Sequence, residues 1–476
     1  MSELSEQKKK KHIKIWGIPM LRLHSPFWQN VIIGILIGLT AGLYVALNLL
    51  GAGGGKPNSA QTVQVVNALL CAVWFFSACF GGTMLNLVGP AITACLGVIG
   101  YIIYVGSLWY FDATGKQGFP IFAGVCIGIS AGLIFVTMGY IAMSYSEEQD
   151  RGAFITMSTN LQAVGSVVGG IIPLIINRNA TTTAGVPAAV YIVFIVMMCI
   201  GAVMAFLLMP PSKIIRADGT KVGRVVARSF IEELKANLEI FRDWKLLIMI
   251  PAFLPAECFL VYGGSVNAHH NNLRARSLFS FMSVVLQIPC GYGLQRILDH
   301  KAWKRRTRAL LGLAIVGTPL MAAWVWEMVR VRDYDRLNPP NTPLDWSDPD
   351  FGPIFVLFML NWISGSLWQY IILYYLGCLT NSPRKSANYA GVFRGILGAG
   401  EAICFGLDSI QVPYIKEAAV IFAFYATGVL VFLYLGLYHI RETEYFAGEE
   451  DVVIPKHVLE ERDMKVETGS DEGKAA

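Results

Sequence analysis

Apolar stretches long enough to cross a bilayer follow one another along almost the whole chain. About 20 helical residues span roughly 30 Å of hydrocarbon, and twelve such windows occur, at 29–50, 62–82, 89–110, 119–143, 152–177, 187–209, 246–265, 277–295, 309–329, 353–378, 387–406 and 414–440. Only 15% of the residues are charged, whereas soluble domains have about a quarter. The pattern predicts an all-α integral membrane protein with twelve transmembrane helices and excludes a soluble globular fold.

The basic residues predict how the chain is oriented in the membrane. With a cytosolic N-terminus, 28 of the 38 Lys and Arg residues lie on the cytosolic side and nine on the opposite side. This asymmetry predicts that both termini are cytosolic. The sequon Asn179-Ala180-Thr181 falls in a predicted non-cytosolic loop. Asn179 is either glycosylated there or belongs to a tripeptide that occurs by chance and is not modified. The net charge of +5 does not indicate a nucleic-acid partner, because the basic residues lie between apolar runs.

A polar, basic segment divides the predicted helices into two sets of six. The predicted organisation is listed from the N-terminus as a basic cytosolic tail (1–28), a six-helix bundle (29–209), a cytosolic linker (210–245), a second six-helix bundle (246–440) and a disordered cytosolic tail (441–476). The segments 144–166 and 379–401 correspond, since each runs from a short polar loop into the fifth helix of its half. Two parallel six-helix repeats are the plan of major facilitator transporters.

Several segments carry a resemblance to a known family. They are ALNLLGAGG (46–54), GYIAMSYSEEQDRGAF (139–154), PPSKIIRADGTKV (210–222), NNLRARSLFS (271–280), QYIILYYLGCLTNSPRKSANYAGVFRGILGAGEA (369–402) and LDSIQVPYI (407–415). The chain resembles the Unc-ninety-three-like branch (the former domain of unknown function 895) of the major facilitator superfamily, especially its fungal members. One departure from the wider superfamily is the loop GGTMLNLVGP (81–90), which lacks the usual charged motif and with it one gating device of ordinary transporters.

Three charged residues lie well inside predicted helices, where each costs about 2.5–3.5 kcal/mol on insertion scales and normally faces a polar cavity or a partner. Glu257 lies near the middle of helix seven, in a segment loosened by Pro251 and Pro255. Arg394 and Glu401 share a face of helix eleven but are about 10 Å apart along its axis. Proton or substrate binding and purely structural hydrogen bonding are both open for each of the three.

Amide side chains supply the remaining candidates. The resemblance implies that helices one, four, seven and ten line a central cavity, which makes Asn48, Asn361 and Gln369 candidate contacts together with Glu257. Helix packing is the alternative for each amide, because Asn and Gln also hydrogen-bond between helices.

Two functions fit these features. The first is a secondary transporter that moves a small organic solute by alternating access, with a proton as the favoured coupling ion. The second is a membrane partner that regulates or traffics another membrane protein, because the resemblance includes animal relatives with those roles. The sequence has no catalytic, cofactor or metal motif, so an enzyme is not expected. The plasma membrane is the first expectation for location and an internal endomembrane the second.

Overall fold

The computed structural model of the chain describes residues 14–15, 18–19, 23–49, 59–176, 188–224, 229–338, 340 and 342–467. It is almost entirely helical. Within these ranges the strands are β1 (Lys14–Ile15) and β2 (Ile18–Pro19), which pair antiparallel. The all-α membrane fold predicted from the sequence is therefore confirmed.

In the described residues of the first half there are six numbered helices. They are α1 (Pro26–Ile37), which continues through a π-helical segment (Gly38–Gly42) into α2 (Leu43–Leu49), then α3 (Ser59–Thr114), α4 (Gly118–Ser144), α5 (Arg151–Ile176) and α6 (Ala188–Met204). Short 3-10 turns at Ala205–Leu207 and Pro211–Lys213 follow α6.

The described parts of the linker and second half contain ten more. They are α7 (Phe230–Glu239), followed by a 3-10 turn (Ile240–Arg242), α8 (Trp244–Ile248), α9 (Ile250–Phe253), α10 (Cys258–His270), α11 (Leu273–Leu298), α12 (Arg305–Arg330), α13 (Phe351–Leu379), α14 (Pro383–Ser409), α15 (Tyr414–Tyr438) and α16 (Lys456–Glu467).

Within the described ranges, nine helical segments are long and apolar enough to cross a membrane. One of them, Val65–Thr114, has 50 residues, more than twice the length that one crossing requires. The predicted total of twelve spans requires dividing this segment and adding α5 and the broken helix at Trp244–His270. The total of twelve stays a prediction.

The long helix α3 is interrupted at Gly89. This residue has φ 82° and ψ 170°, a conformation that is essentially restricted to glycine, and Pro90 follows it. Proline has no N–H to lose at the first position of a helix, so a new helix starts there readily. The break lies at the first residue of the window 89–110, which the sequence predicts as a span separate from 62–82.

The two halves meet mainly along three helix pairs. Both α3 and α4 pack against α14, and α5 packs against α11. At one end of the bundle lie the residues that join the halves, including the 3-10 turn at Pro211–Lys213 and α7. We call this the linker end, which the sequence-based prediction assigns to the cytosolic side.

Part of the C-terminal tail differs from the expected disorder. Residues 441–455 contact the linker end, with backbone hydrogen bonds such as Arg224 N–H to the Asp451 carbonyl at 3.0 Å, and α16 follows them. The acidic residues of this segment find hydrogen-bonding groups on the linker and on α14, which composition alone does not reveal. We call residues 441–455 the strap.

Candidate functional site

A cavity of about 80 Å³ lies between the two halves, near the middle of the helices that surround it. Both halves contribute its lining: Val45, Phe135, Thr159, Gln162, Ala163 and Ser166 from the first, and Glu257, Phe259, Leu260, Val284, Gln287, Trp362, Ser366, Gln369 and Arg394 from the second. Three of the residues predicted from the sequence, Glu257, Gln369 and Arg394, are therefore brought together at one site.

Arg394 is held on its cavity side by a neighbouring amide and two aromatic rings. Its Nη1 donates to Gln369 Oε1 at 2.8 Å, and its guanidinium carbon lies 4.8 Å from the ring centre of Phe135 and 5.0 Å from that of Phe393. The side chain is only 2% exposed, and its Nε has no hydrogen-bond partner among the described residues. The cavity therefore presents a buried cation with an unused donor.

Glu257 lies where the predicted seventh span, at 246–265, is broken. It is the residue before α10, and Pro251 and Pro255 prevent a continuous helix through this region. Carbonyl groups freed by the break accept hydrogen bonds from other helices. The donors are Trp368 Nε1 to Ala252 (2.9 Å), Gln369 Nε2 to Ala256 (3.2 Å) and Tyr425 O–H to Pro255 (2.6 Å). Non-helical backbone is tolerated at membrane depth where it lines a cavity, as here.

Gln369 connects the acidic and basic groups of the cavity. Its carbonyl oxygen accepts from Arg394 while its amide group donates to the Ala256 carbonyl, next to Glu257 in the chain. Glu257 Oε2 has no hydrogen-bond partner within the described part of the chain. The site thus combines a carboxyl oxygen and a guanidinium nitrogen, each with free hydrogen-bonding capacity among the described residues, in one cavity that Gln369 also lines.

The other predicted site residues lie elsewhere. Glu401 is buried between α14 and α3, where Cys71 Sγ donates to its Oε2 at 3.6 Å. Asn361 lines a different cavity, of about 20 Å³, beside Trp324 and Glu327 inside the second half. The side chain of Asn48 and the whole of Asn179 lie outside what the structure describes.

At the linker end, charged side chains connect the two halves. Arg151, the first residue of α5, donates to the Gly377 carbonyl and, at 3.0 Å, to Asn381 Oδ1. Glu148 Oε1 accepts from Arg305 Nη1 at 2.9 Å and from Asn381 Nδ2 at 2.6 Å. Burial raises the pKa of Glu148, but Arg305, Arg151 and the hydrogen bonds outweigh it and hold the pKa below its ordinary value.

A second contact between the halves caps α5. Asp299, just beyond the end of α11, accepts the backbone N–H groups of Gly152 at 2.7 Å and Ala153 at 2.5 Å. A carboxylate at a helix N-terminus satisfies free N–H groups and interacts favourably with the helix dipole. Burial nevertheless raises the pKa of Asp299 to about 7, against the lowering effect of these hydrogen bonds.

The strap caps α14 in a similar way. Asp451 Oδ2 accepts from Ser382 Oγ at 2.8 Å and from the Arg384 N–H at 3.1 Å, in the first turn of α14. The N–H of Glu444 donates to Glu148 Oε1 at 2.9 Å, which links the strap to the contact between the halves. We call the groups around Glu148, Arg151, Asp299 and Arg305, together with the strap, the linker-end gate.

The gate and part of the cavity are absent from the sequence predictions. Phe135 carried no signal, since an aromatic residue in an apolar helix resembles any packing residue. The polar loops that contain Glu148 and Asn381 are the two segments that the sequence identifies as corresponding repeats. Their matching positions were therefore the available signal that they meet.

Comparison with known proteins places this geometry in a family. Residues 65–264 match the family model described as "Ion channel regulatory protein UNC-93". An uncharacterized membrane protein of Schizosaccharomyces pombe is 36% identical over 399 residues, which cover 83% of this chain and 81% of that protein. The chain belongs to the UNC-93 family. UNC93-like protein 1 of Arabidopsis thaliana is a further relative, 28% identical over 84% of this chain and 87% of its own length.

Solved structures confirm the major facilitator fold. A crystal structure of the major facilitator superfamily transporter FucP in the outward conformation matches with a TM-score of 0.61, covering 87% of this chain and 99% of FucP. The sequences are 11% identical, so this likeness shows the fold alone. FucP is a fucose:proton symporter of E. coli.

Proposed function

We propose that this UNC-93 family member is a secondary transporter that moves a small organic solute by alternating access. The observation that carries the proposal is the presence of Glu257 and Arg394 in one cavity between the halves, together with Gln369, which binds Arg394. Intramembrane charges are costly and usually serve a pathway or a binding site. A static scaffold has no need of charged groups whose Oε2 and Nε atoms are left without a hydrogen-bond partner among the described residues.

The linker-end gate supports alternating access. It ties the halves together at one end through ion pairs and hydrogen bonds, which water can replace when the halves separate. With the linker end on the cytosolic side, this arrangement corresponds to a state closed toward the cytosol. FucP was crystallised in an outward conformation, and its likeness to this chain agrees with that assignment.

Glu257 is the proposed proton carrier. A carboxyl group in a partly dry cavity can bind a proton when exposed to one side and release it to the other, while Arg394 holds its charge throughout. The cavity also contains aromatic rings and amides, which suit an organic solute that carries hydroxyl or carboxylate groups. The fucose:proton symporter FucP offers a structural precedent for coupling on this fold.

Uptake into liposomes tests the proposal. Purified protein is reconstituted, a pH gradient is imposed and pooled metabolites are screened for accumulation. We expect gradient-driven uptake by the wild type and its loss in Glu257→Gln. Glu401→Gln is the matched control, because it neutralises another intramembrane carboxyl group outside the cavity and is expected to retain uptake. Equal loss in both variants would contradict the assignment of Glu257 as the carrier.

A membrane partner role is the second candidate. The family model is described as an ion channel regulatory protein, and that description favours a role in which the fold binds another membrane protein. Co-purification from native membranes tests it. A stable channel or receptor subunit in the purified complex, together with absent uptake by well-folded protein, would favour this function over transport.

The proposal includes the membrane topology and the location predicted from the sequence. Both termini are assigned to the cytosol, with bundles at 29–209 and 246–440 and a linker at 210–245. The plasma membrane is the first proposed location and an endomembrane the second, while glycosylation at Asn179 accompanies the non-cytosolic placement of its loop. Glycosidase treatment and protease protection of tagged termini test these assignments.

A further inference from the structure

The linker helix α7 buries polar residues and exposes apolar ones, the reverse of a helix that packs on a soluble protein. Its buried positions include Glu233 and Asn237, which are 1% and 0% exposed. Phe230, Ile231 and Leu238 are 61%, 62% and 50% exposed. A helix on a soluble surface turns its apolar face toward the protein, and α7 instead turns its apolar residues away from it.

The buried polar side fixes α7 firmly to the linker end of α3 and α14. Glu233 accepts hydrogen bonds from Arg384 and, at 3.2 Å, from Asn86 Nδ2. Asn237 Nδ2 donates to the Cys79 carbonyl at 2.9 Å. A capping box at Ser229 and Glu232 starts the helix. The exposed apolar residues are thus held in a defined direction by contacts on the other side of the helix.

The exposed apolar residues form one face. Phe230, Ile231 and Leu238 lie within about 100° of one another on a helical wheel, and the exposed Phe241 follows in the 3-10 turn after α7. The exposed charged residues of the same segment lie in a different sector: Glu232, Lys235, Glu239 and Arg242. These four charges balance, so the apolar face and not a net charge defines what the surface binds.

The depth of α7 identifies the occupant of this face. Arg384 is in the first turn of the spanning helix α14, and Cys79 belongs to the spanning segment Val65–Thr114, so α7 lies at the end of the membrane-crossing region. Phe76 and Phe80, beside Cys79, are 62% and 46% exposed and belong to the apolar surface of that segment. The apolar face of α7 therefore continues the surface that the protein presents to lipid.

We propose that α7 is an interfacial helix whose apolar face is inserted in the lipid leaflet at the linker end, while its polar face holds Arg384 and Asn86. Such helices lie in the plane of the interface with the apolar side buried among lipid chains. The bilayer is thereby connected to the strap of the gate through Glu233 and Arg384, whose backbone N–H binds Asp451. This inference does not depend on the proposed function, since a transporter and a membrane partner would both retain the contact.

Site-specific photo-crosslinking tests the proposal on the full chain in nanodiscs of phosphatidylcholine and phosphatidylglycerol. Photoreactive benzoylphenylalanine replaces Leu238 in one variant and the adjacent exposed residue Glu239 in the control. We expect lipid adducts at position 238 and none at position 239 after irradiation, as measured by mass spectrometry. Equal lipid adducts at the two positions, or adducts at position 238 with a second protein chain, would overturn the proposal.

A second measurement uses hydrogen exchange in the same nanodiscs. Leu238→Glu introduces a charge into the proposed lipid face, whereas Lys235→Glu changes a charge in the exposed polar sector. We expect faster backbone exchange across residues 230–240 in the first variant and no change in the second. Identical exchange in both, with intact folding, would also contradict lipid insertion.

Discussion

The ion pair between Glu148 and Arg305 offers a direct test of the linker-end gate. Their side chains are 9% and 1% exposed, and Glu148 Oε1 also accepts from Asn381 and from the Glu444 N–H. Removing one partner of a buried pair costs about 3–5 kcal/mol. Because glutamine in Glu148→Gln can still accept hydrogen bonds, we expect a cost near the lower value, about 3 kcal/mol.

This cost falls on the closed state alone if alternating access separates the halves at the linker end. In the open state, Glu148 and Arg305 are hydrated, so the substitution changes little there. A difference of about 3 kcal/mol corresponds to roughly a 100-fold change in the ratio of open to closed molecules. Glu148→Gln is therefore expected to expose the central cavity to the linker end.

Thiol labelling measures this exposure. Ser366→Cys places a thiol in the cavity, and a membrane-impermeant maleimide is applied from the linker end, with labelling of the native cysteines subtracted using the parent protein. We expect faster labelling when Glu148→Gln is added, up to about 100-fold where closed molecules dominate. Asp150→Asn, which removes an exposed carboxylate in the same loop, is the matched control. Unchanged labelling in a folded Glu148→Gln protein would refute the reasoning.

Three further predictions concern the gate and the fold. Burial raises the pKa of Asp299 to about 7 in the presence of Asp150 and Arg308. The closed state therefore binds the proton more tightly than a hydrated open state, and its advantage is lost by up to about tenfold per unit as pH rises from about 4 to 7. Labelling of the cavity thiol from the linker end is therefore expected to become faster as pH rises, and Asp299→Asn is expected to abolish this pH dependence. At each pH, the labelling rate with Asp299 is compared with the rate for the same thiol in Asp299→Asn. Asp451→Asn weakens the cap on α14 by about 1–2 kcal/mol, and faster hydrogen exchange across 441–455 would reveal it. Gly89→Ala costs about 1–3 kcal/mol because its φ is positive, so its melting temperature in detergent is expected to fall, while Gly293→Ala, at an uncrowded helical position, does not destabilise the protein.

The positions of the helices followed closely from the sequence, because apolar length is a direct requirement of the bilayer. The window 353–378 corresponds to α13 at Phe351–Leu379, and 119–143 corresponds to α4 at Gly118–Ser144. The break in the predicted seventh span, at 246–265, could not be placed by this reasoning. Its apolar window is continuous, yet the prolines divide it into α8, α9 and α10, and the exact break depends on the side chains that satisfy its carbonyls.

The lining of the cavity was predicted only in part. Helix α13, which is the predicted tenth span, shows why some of its residues could not be predicted. Trp362, Ser366 and Gln369 are spaced by four and three residues, so they share the face that lines the central cavity. Asn361 precedes Trp362 by one residue and is rotated by about 100°, toward the smaller cavity beside Glu327. Residue type identified both amides, but only the rotation of the helix decides which of them reaches the site.

The gate depends on contacts that no local pattern encodes. Arg151 donates to the carbonyl of Gly377, more than two hundred residues away, and any residue type supplies a carbonyl. The strap adds Asp451, from a tail whose composition predicts disorder. The sequence reveals that the charges exist but not which backbone groups they find.

The uncharged segment 81–90, which the sequence predicts as a loop between two spans, lies within α3 in the structure. A Cβ on Gly82 would collide with Asn388 and Ala387 of α14, so the backbone of α3 lies directly against the second half at this position. A larger side chain has no room at position 82, and the charged contacts at the linker end come from other segments. Buried ion pairs rarely stabilise a static interface better than apolar packing does, whereas polar contacts can be exchanged for water when an interface opens. The composition of the gate is therefore the form expected of a surface that separates during a cycle, and it favours transport over a fixed scaffold.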